Sequence, residues 1–187
     1  MRAGLKQPPV VVLAAGNRSR GDDAIGPLLL ERLAAWLAAA GREGEFELID
    51  DYQLQVEHAL DLQGRRLALF IDAGWRTPAP LAFYALAPGP DAAPAGTHAL
   101  SPQAVLEVYR RIALGGPPPA FVLCVRGERF ELGAGLSEAA KAHVDAAWVQ
   151  LERLCAQPDA ARWRALAGAA DGFNFPAADA ARHNCGP

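Results

Sequence analysis

The chain has 187 residues, 51% of them apolar and 21% charged, with a net charge of −3. That length suits one domain, and a chain of this size buries about 70% of its unfolded surface without needing a disulfide or metal staple. Acids and bases are interspersed with no basic stripe, which argues against nucleic acid or an anionic membrane as partners. The three cysteines, Cys124, Cys155 and Cys185, form no CxxC and no zinc-type pair with histidine. Their number and spacing fit a reducing cytoplasm. The early apolar run, preceded by Pro8 and Pro9, is too short for a signal sequence or a membrane span. A cytoplasmic protein with no membrane insertion is therefore expected.

In chain order, Val10–Ala15 reads as a buried strand from its β-branched run. From Asp23 onward, Ile25, Leu28, Leu29, Leu33, Trp36, Leu37 and Ala40 recur at three- and four-residue steps, and Gly41 ends that helix. "FELID" (46–50) is a second strand. Residues 54–63 follow as a short helix with Val56, Ala59 and Leu60 inward, stopped by Gly64. "LALFID" (67–72) is apolar almost throughout, as expected of a strand covered on both faces. "LAFYALA" (81–87) follows closely enough to be antiparallel or at an edge. A loop rich in proline and glycine spans 88–97. Ser101–Pro102 then starts a helix that buries Val105, Val108, Tyr109 and Ile112. "AFVLCVRG" (120–127) is the last strand, and Ser137 caps a last long helix carrying Val144, Ala147, Trp148, Leu151 and Leu154 inward.

This alternation predicts a three-layer α/β domain: a mostly parallel twisted sheet of about five strands with helices on both faces. The domain is expected over residues 1–155. Residues 156–187 read as a loosely attached alanine-rich tail whose one helical stretch, 159–169, uses Trp163 and Leu166.

In an open α/β sheet ligands bind beyond the carboxyl ends of the strands. The first strand there leads into Gly16, Asn17, Asp22 and Asp23, the second ends in Asp50–Asp51 and the third in Asp72. His98 stands in the Gly/Pro loop ahead of a capped helix. Asp22 and Asp23 could both serve the helix start; one aspartate suffices as a cap, so Asp22 is assigned that work and Asp23 is turned toward the cleft. Asp72 could bond loop amides, and His98 could be an ordinary surface histidine. His58 and His143 fall within helical patterns and read as structural or solvated. Taken together, Asp23, Asp72 and His98 supply two carboxylates and an imidazole, a set suited to a borderline ion such as Zn²⁺ or Ni²⁺. Two aspartates at a helix start would repel phosphate, and neither a phosphate-loop nor a nucleophile-elbow pattern is present.

The stretch "VVVLAAGNRSRGDDAIGPLLLERL" resembles the opening of the hydrogenase maturation endopeptidases: an apolar strand, Gly-Asn, a short loop, paired acids and a small residue before Ile-Gly. "LALFIDAGW" resembles the family's strand-closing aspartate, and "GTHALSPQAVL" its histidine loop. The resemblance covers residues 10–155 and implies a peptidase that removes the C-terminal extension of an immature NiFe-hydrogenase large subunit after nickel insertion. It implies Asp23, Asp72 and His98 as ligands to nickel supplied by the substrate, with Zn or Cd able to occupy the same atoms, and Asp23 or Asp72 as the catalytic carboxylate. Gly16, Asn17, Asp22, Gln53 and Glu57 are expected to support the site. "DDYQLQVEHALDL" resembles the Gln-Leu-x-x-Glu segment of members serving cytoplasmic, NAD-linked hydrogenases. Two rival readings stay open: a small metallohydrolase with its own ion, and a nickel or assembly chaperone that binds without cutting.

Overall fold

The computed structural model describes residues 7–88, 100–112 and 115–167. Five strands form one sheet: β1 (Val10–Ala15), β2 (Phe46–Asp51), β3 (Leu67–Gly74), β4 (Leu81–Leu86) and β5 (Ala120–Arg126). Their spatial order is β2-β1-β3-β5-β4. β1, β2, β3 and β5 run parallel, while β4 pairs antiparallel with β5 and lies at the sheet's edge. The "LAFYALA" run is thus both antiparallel and an edge strand.

Alternation sorts the strand side chains into two buried layers. Val10, Val12, Ala14, Leu69 and Ile71 pack with α1 (Ile25–Ala39), α4 (Glu138–Ala156) and α5 (Ala160–Leu166). Val11, Leu13, Ala68, Phe70 and Val122 pack with α2 (His58–Asp61) and α3 (Pro102–Ile112) on the opposite face. The three-layer architecture expected from the sequence is the one observed.

Four local features depart from expectation. Asp72 does not close its strand, because β3 continues to Gly74 in register with β5. The helix expected over 54–63 shrinks to a single turn; Leu54, Ala59 and Leu62 are buried there, whereas Val56 and Leu60 face solvent. Ile112, at the end of α3, is also exposed. The fourth feature is α5, which is built into the core and not loosely attached. Asp159 accepts the Arg162 N–H at 2.9 Å as its cap, and the fully buried Trp163 donates from Nε1 to Leu154 O at 3.0 Å. The indole meets Phe121 and Phe83 edge-on, at ring-centroid distances of 5.4 and 6.3 Å.

Edge-to-face aromatic packing adds to the burial of the large indole. Trp163→Ala should therefore lower unfolding stability by about 3–5 kcal/mol in urea titrations. A chain ending before Asp159 should show a comparable loss, whereas an appended tail would leave the midpoint unchanged.

Candidate active site at the carboxyl edge of the sheet

The chain leaves β1 for β2 on one side and returns for β3 on the other, so the crevice beyond β1 and β3 is the point where the sheet's winding reverses. This is where ligands gather in open α/β sheets. Gly16 starts the turn. Its N–H donates to Asp51 O at 3.0 Å, tying β1 to the end of β2. Its φ is +151°, and a Cβ there would stand 2.1 Å from Asp23 O. Only glycine lets the acidic turn fold back this closely. Gly26 makes a second close approach, since a Cβ would lie 2.7 Å from Ala15 O and 3.3 Å from Ile71 O. The start of α1 is thereby seated across the ends of β1 and β3.

The loop between is held by its own polar side chains. Asn17 Oδ1 accepts the Ser19 N–H at 2.8 Å, forming a local turn. Arg18 reaches Glu31 on α1 and Asp50 on β2, at 2.9 and 3.0 Å. Residues 16–19 and 50–52 together line a cleft of ≈ 260 Å³. Gln53 is half-buried next to this cleft and Glu57 is exposed, and neither lines it.

The two neighbouring aspartates have different tasks. Both sit in a 3-10 turn, Gly21–Ala24, that precedes α1. Neither caps a helix with its side chain. Asp22 is fully buried, and its carboxylate accepts the Glu128 N–H (2.7 Å), the Arg129 N–H (2.9 Å), the Ser137 N–H (2.7 Å) and the Ser137 hydroxyl (2.8 Å). The capping role expected of Asp22 is thus replaced by a long-range one. A short side chain in a buried turn finds the loop after β5 nearer than the amides of its own helix. Ser137 Oγ in turn accepts the Ala140 N–H at 3.1 Å, so the aspartate orients the residue that caps α4. Burial pushes the Asp22 carboxyl up, but these four donors outweigh it and hold its pKa below the usual carboxylate value.

Asp23, 7% exposed, accepts the Asn17 N–H on Oδ2 at 2.8 Å. Its turn packs against β3. Asp72 is the first β3 residue beyond the β1 ladder, whose last pair is Ala14 with Ile71. Its Oδ1 accepts the Ala73 N–H at 2.7 Å, and in the β3–β5 ladder it stands opposite Cys124. Strand alternation places Asp72 on the α2/α3 face. Around it, Thr77 Oγ1 lies 2.9 Å from Cys124 Sγ. The Tyr84 phenol is pushed upward first by burial, then by Cys124 and Asp72. The β3–β5–β4 register brings Tyr84 near Asp72, while Thr77, in the β3–β4 connection, reaches Cys124; neither stands out in the sequence. His98 lies outside the described residues, although Leu100, two positions later, donates its N–H to Leu54 O on this same face.

Of the other groups, His58 accepts the Gln55 N–H on Nδ1 and turns Nε2 toward Asp51, and His143 Nδ1 lies 2.9 Å from Arg126 O. Both lie in helices, His58 buried and His143 half-buried. Cys124 and Cys155 are buried, and burial pushes the Cys155 thiol up to about 12. Among the described residues, no three histidine, cysteine or acidic side chains converge as a metal site, and no helix is long and apolar enough to cross a membrane.

The protein is a three-layer α/β domain with a carboxylate-bearing corner at its winding reversal. Among solved structures, that fold is shared with the hydrogenase maturating endopeptidase HybD from E. coli, at 23% identity and TM-score 0.58, over 79% of this chain and 92% of HybD. It is shared with a NiFe hydrogenase maturation protease, HycI, from Thermococcus kodakarensis KOD1: 18% identity, TM-score 0.60, 81% of this chain and 95% of the other. A hydrogenase 2 maturation peptidase from a Thaumarchaeota archaeon gives 18% identity and TM-score 0.52, over 78% and 97% of the two chains. No protein-family model and no curated protein matches the chain. The resemblance read in the sequence thus extends to the fold.

Asp22→Ala would orphan three backbone N–H groups at about 1–3 kcal/mol each, so a loss of about 3 kcal/mol or more is expected in chemical denaturation. Because the folded-state pKa of Asp22 lies below its unfolded value, the stability it supplies is complete above about pH 4 and is lost as pH falls through the folded-state value. A stability profile from pH 7 to pH 2 should therefore fall less steeply at its acid end in the variant than in the wild type.

Proposed function

We propose that this protein is an endopeptidase that removes the C-terminal extension of an immature NiFe-hydrogenase large subunit once nickel has been inserted. The observation that carries the reading is Asp23. Its carboxylate is buried at the switch point, held by the Asn17 N–H, and set by Gly16 against the end of β1 and by its turn against β3. A fold shared with named maturation proteases and the resemblance in residues 10–155 support the same reading.

In this reading nickel arrives with the substrate, and Asp23, Asp72 and His98 are the side chains offered to it. Oxygen and imidazole donors suit a borderline divalent ion, and Zn or Cd could take its place. Such an ion polarises a scissile carbonyl or activates a water molecule. The chain's own contribution is orientation and proton transfer. The Asn17 N–H orients the Asp23 carboxylate through Oδ2, and Asp23 or Asp72 accepts the proton of the attacking water. Two carboxylates and one imidazole hold nickel less firmly than substrate thiolates, so the isolated enzyme has no need to retain the ion. The likeness of residues 50–62 to the matching segment of members serving cytoplasmic, NAD-linked hydrogenases supports a substrate of that kind.

The test is to mix the purified protein with nickel-loaded, unprocessed large subunit and weigh the products. Loss of the C-terminal peptide is expected. Asp23→Asn, Asp72→Asn and His98→Ala should each abolish it while shifting the thermal midpoint little. Binding without cleavage would identify a chaperone instead, and a stoichiometric ion surviving dialysis would identify a hydrolase with a resident metal.

A further inference from the structure

Apolar side chains on the surface are not evenly spread. Among the described residues, seven large ones are exposed, and three of them, Tyr52 (74%), Val56 (54%) and Leu60 (60%), fall within nine residues after β2. Val56 and Leu60 share one helical turn, since the Ala59 and Leu60 N–H groups bond back to Val56 O and Glu57 O. This stretch was expected to turn Val56 and Leu60 inward, yet Leu54, Ala59 and Leu62 already fill the layer beneath it. Tyr52 also lines the cleft together with Gly16 and Asn17, the residue whose N–H holds Asp23. The patch therefore begins at the candidate site and leads away from it.

Its charge has one sign. From Phe46 to Asp61 the chain carries Glu47, Asp50, Asp51, Glu57 and Asp61 and no lysine or arginine. Arg65 meets Glu47 and also bonds Asp61 O, Arg18 meets Asp50, and His58 Nε2 lies 3.5 Å from Asp51, while the exposed Glu57 makes no ion pair among the described residues. A cleft of ≈ 260 Å³ is smaller than the usual small-ligand pocket of about 300–1,000 Å³. An exposed tyrosine with aliphatic neighbours and an acidic rim instead has the make-up of a protein interface centre.

We propose that Tyr52, Val56 and Leu60 form a docking surface for the folded protein that presents the scissile segment, and that its matching face carries apolar anchors among lysine or arginine side chains. This rests on the proteolytic reading for the partner's identity. The apolar side chains supply affinity, the acids supply orientation, and the cleft takes the extended segment leading from the dock to Asp23.

The experiment measures binding of the full chain to unprocessed, nickel-free large subunit by biolayer interferometry, with cleavage of the nickel-loaded form followed separately by mass spectrometry. The double variant Val56→Glu/Leu60→Glu changes only exposed positions, and its thermal midpoint reports that it folds. It should weaken binding about tenfold or more. Glu57→Lys should weaken binding more at 50 mM than at 300 mM salt. Val149→Glu, an equally exposed site on α4, should bind as wild type does. Folded double-variant protein that binds normally overturns the proposal, as does a wild-type chain that fails to bind. A wild-type dimer that the double variant dissociates would also overturn it, by making the patch a self-interface. Binding lost in the variants while wild type binds but never cleaves supports the dock and sinks the peptidase reading instead.

Discussion

The carboxylate of Asp22 is the contact on which the site's geometry depends. It is a buried charge, costly to remove from water, and it is tolerable only because three backbone amides and a hydroxyl converge on it. Those donors come from a loop more than a hundred residues away. The turn before α1, the loop after β5 and the cap of α4 are thus fastened at one point. Gly127 shows how close the fit is, because a Cβ there would meet the Asp22 Cβ at 3.1 Å and the Phe130 ring at 2.6 Å. With Asp22 committed to that loop, its neighbour Asp23 instead closes its own turn by accepting the Asn17 N–H.

The crevice follows from topology. β1 is flanked by β2 and β3, so the connections from its two sides diverge and leave a gap at its carboxyl end. Glycines make that gap usable. Gly16 lets the acidic turn fold onto the end of β1, and Gly26 lets α1 begin directly above β1 and β3. The result resembles a phosphate-binding corner in its backbone but has the opposite electrostatic sense. Helix starts favour anions, and here the anions are the protein's own carboxylates.

Much of this was legible in the chain. Strand and helix alternation, the edge position of β4 and the special character of "GDDAIG" all follow from local pattern. What was not legible depended on distant partners. Asp22 reads locally as a cap, since nothing nearby announces Ser137. Asp72 reads as a strand end, since the register with β5 that extends β3 is invisible from "LALFID". Trp163 sits in an alanine-rich stretch that resembles a tail, and only the gap beside Phe83 and Phe121 gives it a place.

The sequence by itself determined the layers and the strand faces, because hydrophobic period is a property of short segments. The tertiary structure decided that of two adjacent aspartates Asp22 anchors a distant loop, while Asp23 holds its own turn through the Asn17 N–H. It also decided that Val56 and Leu60 face solvent. Both outcomes turn on which surfaces and donors arrive from elsewhere in the chain, and no local pattern carries that information.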